Sequence, residues 1–223
     1  MSKLKWDEVG KRFFETGVDR GVLYPIQQDN TYSKGFAWSG LTGVDHKPSG
    51  AEANAKYADN MKYLNLISAE DLAGAIKAYY YPPEWGECDG SATVAPGVTV
   101  GQQGRKMFGL CYRTKLGNDT AGQDYGYKLH LVWGAQATPS ERSYGTVNDS
   151  PDAIEFSWEF TTTPVEVPGF KPSAGMEIDS TGVAKEKLAA LEDILYGTAE
   201  KEARLPMPAE IIELLGESVA AAG

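Results

Sequence analysis

Two histidines, His46 and His130, are the only side chains in this 223-residue chain whose ordinary titration lies near neutrality. Neither belongs to a His-x-x-x-His or comparable spacing, so no zinc site is expected. His130 falls on the polar side of an alternating segment and His46 sits in a loop before Lys47-Pro48, which points to surface or interfacial positions. Two cysteines could supply nucleophiles. Cys88 lies in Glu87-Cys88-Asp89-Gly90, a turn-like sequence, and Cys111 lies in the apolar run Phe108–Tyr112, where it reads as a small core residue. No basic neighbour would lower either thiol's pKa. Glu155 and Glu159 could pair as glycosidase carboxylates. Four residues apart on a strand they would stand about 13 Å from each other, beyond the roughly 5–9.5 Å that either mechanism needs. Asn118, Asp119 and Asp124 lack the spacing and closing glutamate of an EF-hand, and Gly101-Gln-Gln-Gly104 lacks the Gly-Lys-Ser/Thr of a phosphate loop. The expectation is a protein that is not an enzyme, with no catalytic, cofactor-binding or metal-ligating residues and no cofactor.

The chain carries a formal charge of -10, and its basic residues never run longer than a pair. That excludes the electrostatic footprint of tight nucleic-acid binding. Two cysteines are too few for a disulfide framework at this length. The start, Met1 to Glu8, lacks the apolar stretch of a signal peptide, and no run reaches membrane-spanning length. A soluble product made in a cytoplasm, with no membrane partner, is expected.

The elements that must position these residues are mostly strands. In Ile154–Phe160, Ile154, Phe156, Trp158 and Phe160 share one face while Glu155, Ser157 and Glu159 share the other, the period of two of a half-buried strand. Tyr127, Leu129, Leu131 and Trp133 alternate likewise against Lys128, His130 and Val132. Further strands are expected within Phe36–Val44, Met61–Ile67, Lys106–Lys115 and Gly175–Ile178. The segment 68–81 fits a helical stripe or a strand; Tyr79-Tyr80-Tyr81-Pro82 favours the strand, because the residue before proline avoids helix. Ala184–Tyr196 places Ala184, Leu188, Leu191 and Leu195 on one stripe, with Gly197 where a left-handed cap would sit. A short helix is expected near 208–215, with Pro208 in its first turn. Gly117–Asp124 is expected to form an extended hairpin arm and Thr138–Asp152 a long loop, a kind of segment that is often functional. The fold class is thus mainly β (α+β), a β-sandwich or partial barrel with a flanking C-terminal helix. Residues 1–200 form one domain with an N-terminal arm, and 201–223 form a C-terminal extension.

Taken in order, the segments Trp6–Pro25, Tyr57–Leu64, Glu87–Ser91, Phe108–Arg113, Gly117–Asp119, Phe156–Glu159 and Leu188–Gly197 resemble the major tail proteins of siphophages, the long-tailed bacteriophages, of Gram-positive bacteria. That resemblance implies a tail-tube β-sandwich with a flanking helix. Six copies would form a homo-hexameric ring, and rings would stack into a tube in the virion tail, assembled in the bacterial host cytoplasm. Loops and terminal segments of one ring would grip the next. Partners would be further copies of the chain and other tail proteins such as tape measure, terminator and distal tail proteins. DNA would pass through the lumen without specific binding. An acidic subunit suits such a conduit, since cationic walls would retain phosphates, and the face bearing Glu155 and Glu159 is the expected lining. The alternatives are another phage structural component (a tail terminator or capsid decoration protein) and a carbohydrate-binding β-sandwich of the adsorption apparatus, for which Tyr79, Tyr80, Tyr81 and Trp85 are the one aromatic cluster.

Overall fold

The structure is a computed structural model describing residues 3–50, 53–68, 70–147, 149 and 152–216. It is mainly β. The first strands are β1 (Phe13–Pro25), β2 (Phe36–Trp38), β3 (Leu41–His46), β4 (Ser49–Gly50) and β5 (Ala53–Ala58). There follow β6 (Met61–Ile67), β7 (Glu70–Asp71), β8 (Ala73–Ala78) and a one-turn helix, α1 (Trp85–Asp89). The remaining strands are β9 (Ala92–Ala95), β10 (Val98–Val100), β11 (Phe108–Asn118), β12 (Gly122–Ala137), β13 (Phe156–Thr162) and β14 (Gly175–Asp179). Two helices, α2 (Lys185–Tyr196) and α3 (Pro208–Leu215), close the described chain.

Eight strands form one antiparallel sheet in the order β2-β1-β11-β12-β13-β8-β3, with β14 also paired to β12. The long strand β12 changes partner partway along. Lys128–Val132 pair with β14, whereas Ala135–Ala137 pair with β13. Gly134 makes the change possible: its φ is +60°, and a Cβ there would lie 2.2 Å from the carbonyl oxygen of Thr163. Only glycine takes this conformation with so close a neighbour.

This change of partner brings two parts of the sheet face to face. Leu23, Phe108, Leu110, Tyr112 and Val132 pack with Ile76, Ala78, Trp158 and Phe160 in one buried cluster. Trp38 and Trp85 join it, their rings 4.8 Å apart. On the opposite face of β1, β11 and β12, the residues Val22, Tyr24, Cys111, Leu129, Leu131 and Trp133 form a second cluster with Leu188, Leu191 and Leu195 of α2. The aliphatic stripe of α2 is therefore held by the sheet, as a helix of this length requires. Leu205 and Ile211 belong to the same cluster, and Trp133 donates through Nε1 to the Pro206 carbonyl at 3.0 Å. The described part of the C-terminal extension is thus packed against the sheet; residues 217–223 lie outside the described residues.

Several local expectations are settled here. The segment 68–81 contains strands β7 and β8, with Ala75, Ile76 and Ala78 buried; Ala69 lies outside the described residues. Gly117–Asp124 is no extended arm: β11 and β12 continue to Asn118 and from Gly122, leaving a tight turn. The Asn118 side chain accepts from the Thr120 N–H at 2.9 Å, and this local bond replaces several residues of loop. After α2, Gly197 has φ 77° and ψ 170°, so it is not a left-handed cap. The helix end is satisfied instead by Arg204, whose N–H donates to the Ile194 carbonyl at 2.9 Å. Thr138–Val147 form neither strand nor helix, and Asn148 and Pro151 lie outside the described residues.

Candidate functional site

The two cysteines are placed apart, and Asp124 stands apart from Asn118 and Asp119. Cys88 and Cys111 are both fully buried, one in each hydrophobic cluster, and burial pushes each thiol up to about 12. Both are protonated at neutral pH and shielded from reagents. Asn118 is buried and donates through Nδ2 to the Gly10 carbonyl at 2.9 Å, while Asp119 accepts from the Gly10 N–H at 3.0 Å. These oxygens and amides fasten the N-terminal segment to the β11–β12 turn. Asp124 lies elsewhere, in an open groove of about 760 Å³ between α2 and the β11–β12 hairpin, alongside Arg113, Lys115, Tyr125 and Glu192. No group of three or more His, Cys, Asp or Glu side chains is arranged to hold a metal among the described residues. No helix among them is long and apolar enough to cross a membrane.

Glu155 and Glu159 are exposed, as the alternation implies. They do not form an unbroken anionic face. Glu155 accepts from Thr42 Oγ1 at 2.6 Å, and Glu159 lies 3.5 Å from Lys47. The neighbouring strands add an ion pair of 2.8 Å between Lys77 and Asp45. Three carboxylates thus share this surface with two ammonium groups. Alternation identifies one strand's polar face but is silent on which lysines the adjacent strands contribute.

The aromatic cluster is likewise divided. Trp85 is wholly buried against Trp38, Trp158 and Phe108, while Tyr79 and Tyr80 are more than half exposed. The Tyr80 and Tyr81 rings are 6.3 Å apart at 24°. Without Trp85, the tyrosines Tyr79 and Tyr80 are what this cluster presents at the surface.

Two features emerge only in three dimensions. First, His46 and His130 meet, with ring centroids 6.3 Å apart. Tyr112 stacks on His130 at 4.7 Å and 7°, and its hydroxyl is 2.8 Å from Nε2 of His46. Thr114 Oγ1 is 2.8 Å from Nε2 of His130. The His130 side chain is only 12% exposed. Its strand's polar side faces the interior between the two parts of the sheet, so the surface position expected for it is corrected. Burial lowers the pKa of both imidazoles below the ordinary value of 6.5.

Second, β5 and β6, which lie between β4 and β7 in the chain, form a two-stranded arm that pairs with no other strand among the described residues. Met61–Ile67 are expected as a strand; their partner Ala53–Ala58 is not, because its Ala, Asn and Lys residues carry little β propensity. Asp59 and Asn60 have φ of 51° and 64°, the two positive values that a type I′ hairpin turn requires. No residue of the arm is buried. Leu66 pairs with Asn54, Leu64 with Lys56 and Met61 with Ala58, and these lie on one face. Tyr57, Met61, Tyr63, Leu66 and Ile67 are each more than half exposed. A hairpin on its own is marginally stable in water, and contiguous exposed apolar patches on proteins are commonly sites of interaction.

The fold and these surfaces define a mainly β protein with an exposed apolar arm. Comparison with protein-family models finds no match for the chain, and comparison with curated proteins finds none.

Proposed function

We propose that this chain is a structural subunit of a phage tail, a major tail tube protein that joins copies of itself into hexameric rings stacked around a DNA-conducting channel. The observation that carries the reading is the β5–β6 arm. Among the described residues its apolar side chains are left exposed, and both of its strands offer backbone edges paired with no third strand, a ready template for pairing with another chain. Its charge points to a second copy as the occupant. With Lys56, Lys62 and Asp59 the arm is cationic on balance, whereas the chain as a whole carries -10. A cationic arm meeting an acidic neighbour is favoured electrostatically as well as by apolar burial. The residue blocks resembling siphophage major tail proteins supply the particular assembly.

Electron microscopy of the purified protein, alongside a Leu64→Asp/Leu66→Asp variant, tests this. Tubes or stacked rings are expected for the wild type and separate subunits for the variant, with unchanged thermal unfolding of the subunit. Isolated rings that never stack would favour a terminator. Monomers at all concentrations would sink the self-assembly reading.

A further inference from the structure

The two histidines stand at the root of the arm. His46 is the last residue of β3; from it the chain runs through β4, paired with β7, towards β5, and the Lys47 N–H donates to the Ala73 carbonyl at 2.7 Å. On β8 its partner is Gly74, which has no side chain. The backbone of His46 thus stays in the ladder with β8, and its side chain reaches β11 and β12 through the Tyr112 hydroxyl and the His130 ring.

We propose that His46 and His130 form a proton-sensitive latch on the arm: neutral, they hold the end of β3 against β11 and β12; protonated together, they release it. Two positive charges at a ring separation of 6.3 Å repel each other in a half-buried setting. The charged and titratable neighbours do not cancel this. Tyr112 and Thr114 of β11 are neutral, and burial raises the Tyr112 pKa further. On β12, Lys128 adds another positive charge. Glu177 of β14 lies 3.8 Å from His130 Nδ1 but is already 2.6 Å from Lys128, which also pairs with Glu15 of β1. Lys47, next after His46, is paired with Glu159. Two carboxylates thus serve one lysine and two imidazoles. His46 keeps an exposed side, which gives solvent protons access.

The direction follows from linkage. Burial lowers both folded pKa values, so the released state takes up protons first as pH falls. The latch is fully closed above about 6.5, the value for a solvated imidazole, and loosens below it.

That a loosened root also alters assembly rests on the arm being the contact between copies. The test is hydrogen exchange of the full chain at pH 7.5 and 5.5, corrected for intrinsic amide rates. Protection across Leu41–His46 and the arm should drop by about tenfold or more on acidification, given repulsion at this separation. His46→Gln and His130→Gln should each lose most of that drop, and the double variant all of it. Should the variants misfold, NMR titration of the wild-type imidazoles gives a second reading, with both groups titrating below 6.5. Equal wild-type protection at the two pH values, or a drop that persists in the double variant, overturns the latch. Microscopy of the same samples separates the two proposals: tubes with a pH-insensitive root overturn the latch alone, and a pH-sensitive root without assemblies at either pH overturns the assembly reading alone.

Discussion

Asp19 and Arg113 show how single residues sustain this sheet. Arg113 donates from Nε and from one terminal nitrogen to the two carboxylate oxygens, each at 2.7 Å, tying β1 to β11. That hydrogen-bonded guanidinium holds the Asp19 carboxyl below its ordinary 3.8. A depressed folded pKa contributes stability that is complete above 3.8 and disappears as pH falls through the folded value. Asp19 is partly exposed, so solvent reduces the pair's worth to about 1 kcal/mol. The wild type should therefore be more stable than Asp19→Asn at pH 7 and should lose that advantage on titration to pH 2, as measured by urea unfolding. The thiols yield a second prediction. With Cys88 and Cys111 both buried and protonated, a thiol reagent should label neither in the native protein and both in guanidinium. Rapid native labelling would show that a cluster opens readily.

At the scale of elements, two positions dominate. Gly134→Ala would press a Cβ against the Thr163 carbonyl at a positive φ, where β12 passes from β14 to β13. A loss of about 2–4 kcal/mol is expected in chemical denaturation, since strain and a backbone clash coincide. Leu191→Ala should cost about 2–5 kcal/mol by emptying the centre of the contact between α2 and the sheet. Neither change touches the arm, so under the tail-tube proposal any surviving folded fraction should still assemble. Much at this scale was legible in residue order. The alternation around Trp158 and Trp133 and the stripe Leu188-Leu191-Leu195 each identify an element, because one-sided burial imposes its own period. Neither strand of the arm has a buried face to impose a period; Met61–Ile67 is legible through its Tyr, Leu and Ile residues, whereas Ala53–Ala58, rich in Ala with Asn and Lys, has only the Asp59-Asn60 turn as a local signal.

At the scale of the whole molecule, the tail-tube proposal makes function depend on surfaces that copies share. If the face of β13, β8 and β3 lines a channel, Glu155→Lys/Glu159→Lys would leave Asp45 as the one carboxylate among four cationic groups. DNA passage through tubes of this variant should slow markedly, because cationic walls retain phosphates. Ejection at the wild-type rate would place this face away from the channel.

Residue order alone determined the class of fold, the helix on its flank, the burial of Trp133 and Trp158 and the acidic balance, since periodicity and composition are local properties. The meeting of His46 with His130, the lysines beside Glu155 and Glu159, the removal of Trp85 to the core and the solitary arm were decided only by tertiary structure. Each depends on which distant strands become neighbours, and that is set by the change of partners at Gly134 and by the packing of two clusters on opposite faces of one sheet.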